Sequence, residues 1–239
     1  MYQKIRSILY RNGYMNSPLQ KFWVLLQKPF EKTMKANKIK SVHRKGEKLL
    51  REFNTITQEL NINCWLEFGT LLGAYRDKSF ISFDYDIDMG MYAKDFTSEF
   101  QNILKEKGFR AVKCYYLVDV KNQSKNISEM TYKYNGIYFD VFLSYEKGEK
   151  RQLNVYTTCI DDVDTKFNCR QYSLDNANEL VDVYINGIKC KSPGNPHNYL
   201  SSIYGENYMT PIQGWKQSNT NPVMKMLDSN LFYGLLYRY

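Results

Sequence analysis

Apolar residues recur at Leu49, Phe53, Ile56 and Leu60, a helical spacing that predicts a helix from Val42 to Leu60. The period then changes. Residues 61–68 read as a strand that ends at Gly69-Thr70, and a short helix is expected over Leu71–Tyr75. A strand follows at Asp86–Tyr92, then a helix over Lys94–Lys107 with Phe96, Phe100, Ile103 and Leu104 on its apolar face and Gly108 as its C-cap. Further strands are expected at 109–120, 129–135 and 137–144, the last two joined by Asn135-Gly136, a strong hairpin-turn dipeptide. After Lys150 the pattern weakens to one strand near 153–160, mixed elements, and a short helix over Pro196–Ile203 favoured by Pro196 in its first turn. Helices together with hairpins predict an α/β (α+β) fold with a mixed or antiparallel sheet flanked by helices. Residues 1–40 are less regular, because Pro18 and Pro29 break short apolar patches; an arm or accessory helices are expected there.

The charge is uneven, and that changes the picture of the N-terminus. The chain of 239 residues carries a formal net +8, yet residues 1–48 alone hold 12 Lys/Arg against 2 Asp/Glu, leaving the remainder slightly acidic. A basic arm bearing Phe22 and Trp23 can approach anionic lipid head groups or nucleic acid. The longest apolar run there, Phe22–Leu26, falls far short of the ~20 residues needed to span a bilayer. The five cysteines are widely spaced and form no C-x-x-C pair, which fits reduced, buried thiols in a cytoplasmic protein.

The candidate chemistry lies between Gly69 and Asp88. On an extended strand Asp84, Asp86 and Asp88 share one face, while Tyr85, Ile87 and Met89 point the other way. Like charges so close repel, and a fold that keeps them usually supplies a cation. Hard oxygen donors suit Mg²⁺ or Mn²⁺, ions that commonly serve phosphoryl transfer. A third carboxylate from another strand would complete such a site. Asp140 is the best candidate, since its apolar flanks in Ile137–Leu143 place it in a buried strand, where a carboxylate needs a partner. The turn at Gly69-Thr70 could hold a phosphate on its backbone N–H groups and the Thr hydroxyl, and Arg76 could clamp phosphate oxygens. An EF-hand calcium loop is excluded by Met89 and Asp95 where it needs Gly and Glu. Neither a Walker sequence nor G-x-G-x-x-G occurs, and with His43 and His197 the only histidines a Ser-His-Asp hydrolase has little support.

Together these segments resemble the LicD/fukutin family of the nucleotidyltransferase (polymerase β-like) superfamily. The resemblance rests on Gly69-Thr70-Leu71-Leu72-Gly73-Ala74-Tyr75-Arg76, on Phe83-Asp84-Tyr85-Asp86-Ile87-Asp88, on Phe139-Asp140-Val141-Phe142 and on Tyr204–Pro211, and it spans roughly residues 45–215. Many members carry Trp at the position of Phe83 and Asp at that of Tyr85; a Tyr there is similar to the fukutin-related branch. It implies a nucleotidyltransferase-like catalytic domain over 45–215, which the basic arm or accessory helices over 1–44 precede and a C-terminal extension over 216–239 follows. It further implies transfer of a phospho-substituent (phosphocholine, or ribitol or glycerol phosphate) from a CDP-activated donor to a sugar hydroxyl of a glycan or glycolipid. Asp86, Asp88 and Asp140 would hold Mg²⁺ or Mn²⁺, with Asp140 alternatively the general base, while Gly69, Thr70, Arg76 and Asp84 would contact substrate. The cysteines give a cytoplasmic setting and the charge of residues 1–48 gives peripheral membrane contact, with no nucleic-acid partner expected. Two other readings compete: a metal-dependent glycosyltransferase using a sugar nucleotide, and a non-enzymatic glycan- or lipid-binding module.

Overall fold

The computed structural model describes residues 18–161, 165–212 and 221–239, with side chains from Thr33 onward. Helix α1, Pro18–Glu59, is followed by strand β1, Cys64–Leu66, and helix α2, Phe68–Leu72, which runs into a π-helical turn over Gly73–Asp77. Strand β2, Asp86–Tyr92, leads through a 3-10 turn to α3, Ser98–Glu106. Five long strands follow: β3, Arg110–Asp119; β4, Ser124–Tyr134; β5, Ile137–Lys147; β6, Lys150–Cys159; and β7, Lys166–Asp175. The chain ends with hairpin β8 (Leu180–Ile185) and β9 (Ile188–Pro193), helix α4 (Pro196–Tyr204), and strands β10 (Met224–Met226) and β11 (Phe232–Arg238).

Most of these elements match the hydrophobic pattern. Leu49, Phe53 and Ile56 of α1 are fully buried, and Phe53 meets Phe100, Phe109 and Phe139 edge to face. Thr97 caps α3 through its hydroxyl, accepting from the Phe100 N–H at 3.2 Å, so this helix begins four residues later than the apolar pattern suggests. Asn135 and Gly136 both take positive φ, 48° and 89°, as a tight turn between right-twisted strands requires. Asn186-Gly187 repeats that geometry between β8 and β9, a hairpin the sequence reading left among mixed elements.

Two expectations are corrected. Helix α1 runs through Pro29 as one 42-residue element rather than breaking there. A proline removes one backbone hydrogen bond and bends a helix without forbidding its continuation. Residues 1–17, and the side chains of residues 18–32 with Phe22 and Trp23 among them, lie outside the described residues, while the rest of the expected basic arm, 18–44, is the N-terminal part of α1. Among the described residues no helix is long and apolar enough to cross a membrane. The second correction concerns closure. The sheet, expected to be a nucleotidyltransferase-like mixed sheet flanked by helices, is a barrel: β5, β4, β3, β11, β7 and β6 pair in a circuit that returns to β5. Strands β10 and β11, from the segment expected to be an extension, belong to this sheet.

Strands β1 and β2 extend the barrel wall beyond β5, with β2 parallel to β5 and the other pairs antiparallel. Helix α1 covers one face of this wall. The opposite face turns into the barrel, where Tyr115 of β3 stacks on Tyr156 of β6 at 4.6 Å although these strands are not neighbours. Gly234 of β11 makes room for that ring: a Cβ there would stand 2.0 Å from Cδ1 of Tyr156.

Candidate active site

The register of β2 against β5 assembles the carboxylates. Ile87 and Met89 are buried beneath α1, so Asp86 and Asp88 face the other way, as the two-residue period predicts. Asp88 lies directly opposite Asp140, and Asp140 opposite Thr131 of β4, whose hydroxyl donates to Asp140 Oδ1. Strand β2 begins only at Asp86. Asp84 sits in the preceding turn and reaches this site from there, its carboxylate beside Gly69, where an added Cβ would lie 3.3 Å from Asp84 Oδ2.

Burial and mutual repulsion set the electrostatics. Burial, then Asp140 and Asp84, push the Asp86 carboxyl up to about 7, against the opposing pull of Lys38 and Lys113. Asp88 is raised well above the ordinary carboxylate value, by burial and then by Asp86 and Asp140. Asp140 is raised by burial, partly countered by Lys113 and Thr131. Burial also pushes Asp84 up to about 6 although His43 and Arg76 oppose the rise. Among the described residues no three His, Cys, Asp or Glu side chains stand as a closed metal-binding group. The donor set nonetheless suits a hard divalent cation in kind: three half-buried carboxylates on adjoining strands, all made costly to ionise by desolvation and two of them, Asp86 and Asp88, by their acidic neighbours as well.

The approach to the carboxylates is built by unusual local structure. Phe68 takes φ of +40°, an outlier for a bulky residue costing on the order of 1–3 kcal/mol. Its ring is held between Phe142 at 5.0 Å and Tyr172 at 5.8 Å. Immediately before it, Glu67 donates its N–H to the Asp88 carbonyl at 3.0 Å. The Glu67 side chain is wholly buried, accepting from Trp65 Nε1 at 2.8 Å and paired with Arg151 at 3.3 Å. Gly90 makes this possible, since a Cβ there would stand 2.1 Å from Trp65 Nε1 and 2.4 Å from Glu67 Oε2.

Thr70, expected to offer its hydroxyl to a phosphate, is buried in α2, and its oxygen accepts the Asp88 N–H at 2.9 Å. It fixes the backbone that carries Asp88. Arg76 forms a two-pronged pair with Asp77 at 2.8 Å and donates to the Tyr208 carbonyl at 3.4 Å. With Gly69, Asp84, Tyr204 and Tyr208 it lines a cleft of about 310 Å³. The later motif Tyr204–Pro211 thus returns to the first, and Tyr208 is further held by His197 Nδ1 at 2.7 Å. The carboxylate reading did not include Lys113, Glu129, Glu67 or Arg151. Glu67 between Leu66 and Phe68, and Lys113 between Val112 and Cys114, are charges set between apolar neighbours, the signal that would have flagged them; Arg151, beside Lys150 and Gln152, carries no such signal.

Residues 61–195, more than half of the chain, match the family model described as LicD/FKTN/FKRP, nucleotidyltransferase domain. The chain belongs to this family. It is 23% identical over 199 residues to human ribitol-5-phosphate transferase FKTN, covering 81% of this chain and 40% of that protein. The Mus musculus protein of the same name is 22% identical over 180 residues, covering 75% of this chain and 36% of that protein. Human ribitol 5-phosphate transferase FKRP is 34% identical over 61 residues, 23% of this chain and 12% of that protein. The chain therefore spans well under half the length of these relatives.

Proposed function

We propose that this domain is a phosphotransferase that moves a phospho-alditol unit, ribitol phosphate first among them, from a CDP-activated donor to a sugar hydroxyl of a glycan or glycolipid. Phosphocholine and glycerol phosphate are the other units the family resemblance implies. The observation that carries the reading is the parallel register that sets Asp88 opposite Asp140, with Asp86 two residues along the same face. Membership of the family, and the names of its ribitol-phosphate-transferring relatives, supply the substrate class.

In this mechanism Asp86, Asp88 and Asp140 would hold Mg²⁺ or Mn²⁺, which when bound supplies charge neutralisation at the donor diphosphate. Thr70 keeps Asp88 in place through its backbone N–H. Gly69, Arg76 and Asp84 present the cleft to substrate. The acceptor hydroxyl attacks the β-phosphorus in line with the departing oxygen, so one P–O bond forms as the bond to the bridging oxygen breaks. CMP leaves with that electron pair, and the acceptor proton passes to a carboxylate of the cluster. Catalysis of this kind is chiefly positioning and charge stabilisation. Strands β1, β2 and β5 are the part of the fold this chemistry uses.

The test is mass spectrometry of a glycan acceptor after incubation with Mg²⁺ and a panel of CDP-linked donors, using the parent, Asp86→Asn and Asp88→Asn. Transfer by the parent and its loss in both variants is the expected result. Near-native turnover in both variants, or no transfer by the parent from any donor, overturns the proposal.

A further inference from the structure

Lys113 stands at the end of a row that crosses four strands. Asp88 on β2 is opposite Asp140 on β5, Asp140 is opposite Thr131 on β4, and Thr131 is opposite Lys113 on β3. Residues paired this way across adjacent strands share a face, and the hydrogen bond from Thr131 to Asp140 shows it directly at the centre of the row. The row therefore runs from carboxylates to a hydroxyl to an ammonium group along the wall that turns into the barrel. The Lys113 charge acts on both Asp86 and Asp140.

Lys113 is held by a group of its own. Its Nζ lies 3.5 Å from Glu129 Oε1, with the Lys side chain 34% and the Glu side chain 9% exposed. A pair of that length with its lysine a third exposed contributes little, so stability alone gives it little reason to exist. A phosphate anchored at the aspartate end would turn its remaining oxygens along the row, where, beyond Thr131, whose hydroxyl hydrogen already goes to Asp140, the wall offers the Lys113 ammonium as a donor. A cation there meets both the resting charge of the phosphate and the charge that develops on it as a P–O bond breaks.

We propose that Lys113, oriented by Glu129, binds the donor's phosphate oxygens on the side away from Asp86, Asp88 and Asp140 and is a catalytic residue of this site. The inference rests on the phosphotransferase reading above. Two measurements test it: calorimetric binding of CDP with and without Mg²⁺, and steady-state transfer from a CDP donor. Lys113→Met should weaken CDP binding in both conditions and lower kcat/KM by ~10²-fold, the scale of losing one charge-stabilising donor. Lys113→Arg should recover most of both. The double variant Lys113→Met/Glu129→Gln removes the stranded buried carboxylate, so its thermal midpoint should return toward the parent while binding and transfer stay defective. A purely structural pairing predicts the reverse, with the double variant regaining activity, and that result overturns the proposal. So does a Lys113→Met protein that binds CDP and turns over within about twofold of the parent. A parent that transfers normally while Lys113→Met is unaffected sinks this inference alone; a parent that neither binds CDP nor transfers sinks the phosphotransferase reading with it.

Discussion

Replacing Arg151 by Met should be among the most damaging single changes outside the carboxylates. The Arg151 and Glu67 side chains are both completely buried. Nη1 lies 3.3 Å from Glu67 Oε2 and donates to Ser144 Oγ at 2.8 Å, while Nη2 lies 3.5 Å from Oε1. The guanidinium also sits 5.0 Å from the centre of the Trp65 ring. Methionine refills the aliphatic stem, so the loss is electrostatic: a carboxylate remains in the interior with Trp65 Nε1 as its hydrogen-bond donor. Breaking a buried pair in this way costs ~3–5 kcal/mol. The contacts exceed the 2.7–2.9 Å of strong charge-assisted bonds, which places the expected loss near ~3 kcal/mol. Against a total of ~5–15 kcal/mol for a domain, that is a large fraction. Urea denaturation should show the midpoint falling by ~1–2 M at unchanged slope. Adding Glu67→Gln to Arg151→Met should recover part of the loss, because the stranded charge is gone. A single variant within ~1 kcal/mol of the parent, or a double variant no better than the single, would refute the reasoning.

Other consequences follow from the same geometry. Thr70→Val keeps shape but strands the buried Asp88 N–H, at a cost of ~1–3 kcal/mol, whereas Thr70→Ser keeps the acceptor; urea midpoints and exchange of the Asp88 amide separate the two. Gly90→Ala places a methyl group within 2.4 Å of both Trp65 Nε1 and Glu67 Oε2, so it should cost ~1–3 kcal/mol and shift the tryptophan fluorescence; parent-like values in both would mean the strand moves freely. Asp161 tests pH dependence. Burial raises its carboxyl, but hydrogen bonds from the Thr165 hydroxyl and from the N–H groups of Thr165 and Lys166 outweigh this and hold it at about 2, below the ordinary 3.8. A depressed folded value means the stabilisation is present above the ordinary value and is lost as pH falls toward about 2. The gap in thermal midpoint between parent and Asp161→Asn should therefore close over that range, and a gap independent of pH would contradict the assignment.

Much of the site was legible because it depends on short-range rules. The two-residue period of a strand put Asp86 and Asp88 on one face and Ile87 and Met89 on the other, and the structure keeps that division. Asp140 was found because a carboxylate between apolar neighbours demands a partner. The strand was expected to begin at Asp86, and pairing does begin there, so Asp84 shares its face by no strand period and arrives instead from a turn packed on Gly69. Thr70 carried the right signal and a different partner, since a hydroxyl within reach of a buried backbone N–H is taken up by it. Lys113 escaped because nothing near it in the sequence is acidic. Its partners are Glu129 and, across two strand pairings, Asp140.

The sequence by itself determined the local chemistry: which side chains share a strand face, where glycine and asparagine permit a tight turn, and which helix face is apolar. These depend on backbone periods and on residues a few positions apart. Only the tertiary structure decided that β2 runs parallel to β5 with Asp88 opposite Asp140, that β11 closes a barrel, and that a buried Arg151–Glu67 pair secures the strained entry to α2 at Phe68. Strand register and closure are set by packing among residues far apart in the chain. A shift of one residue in that packing would turn the same carboxylates to the other face of the sheet.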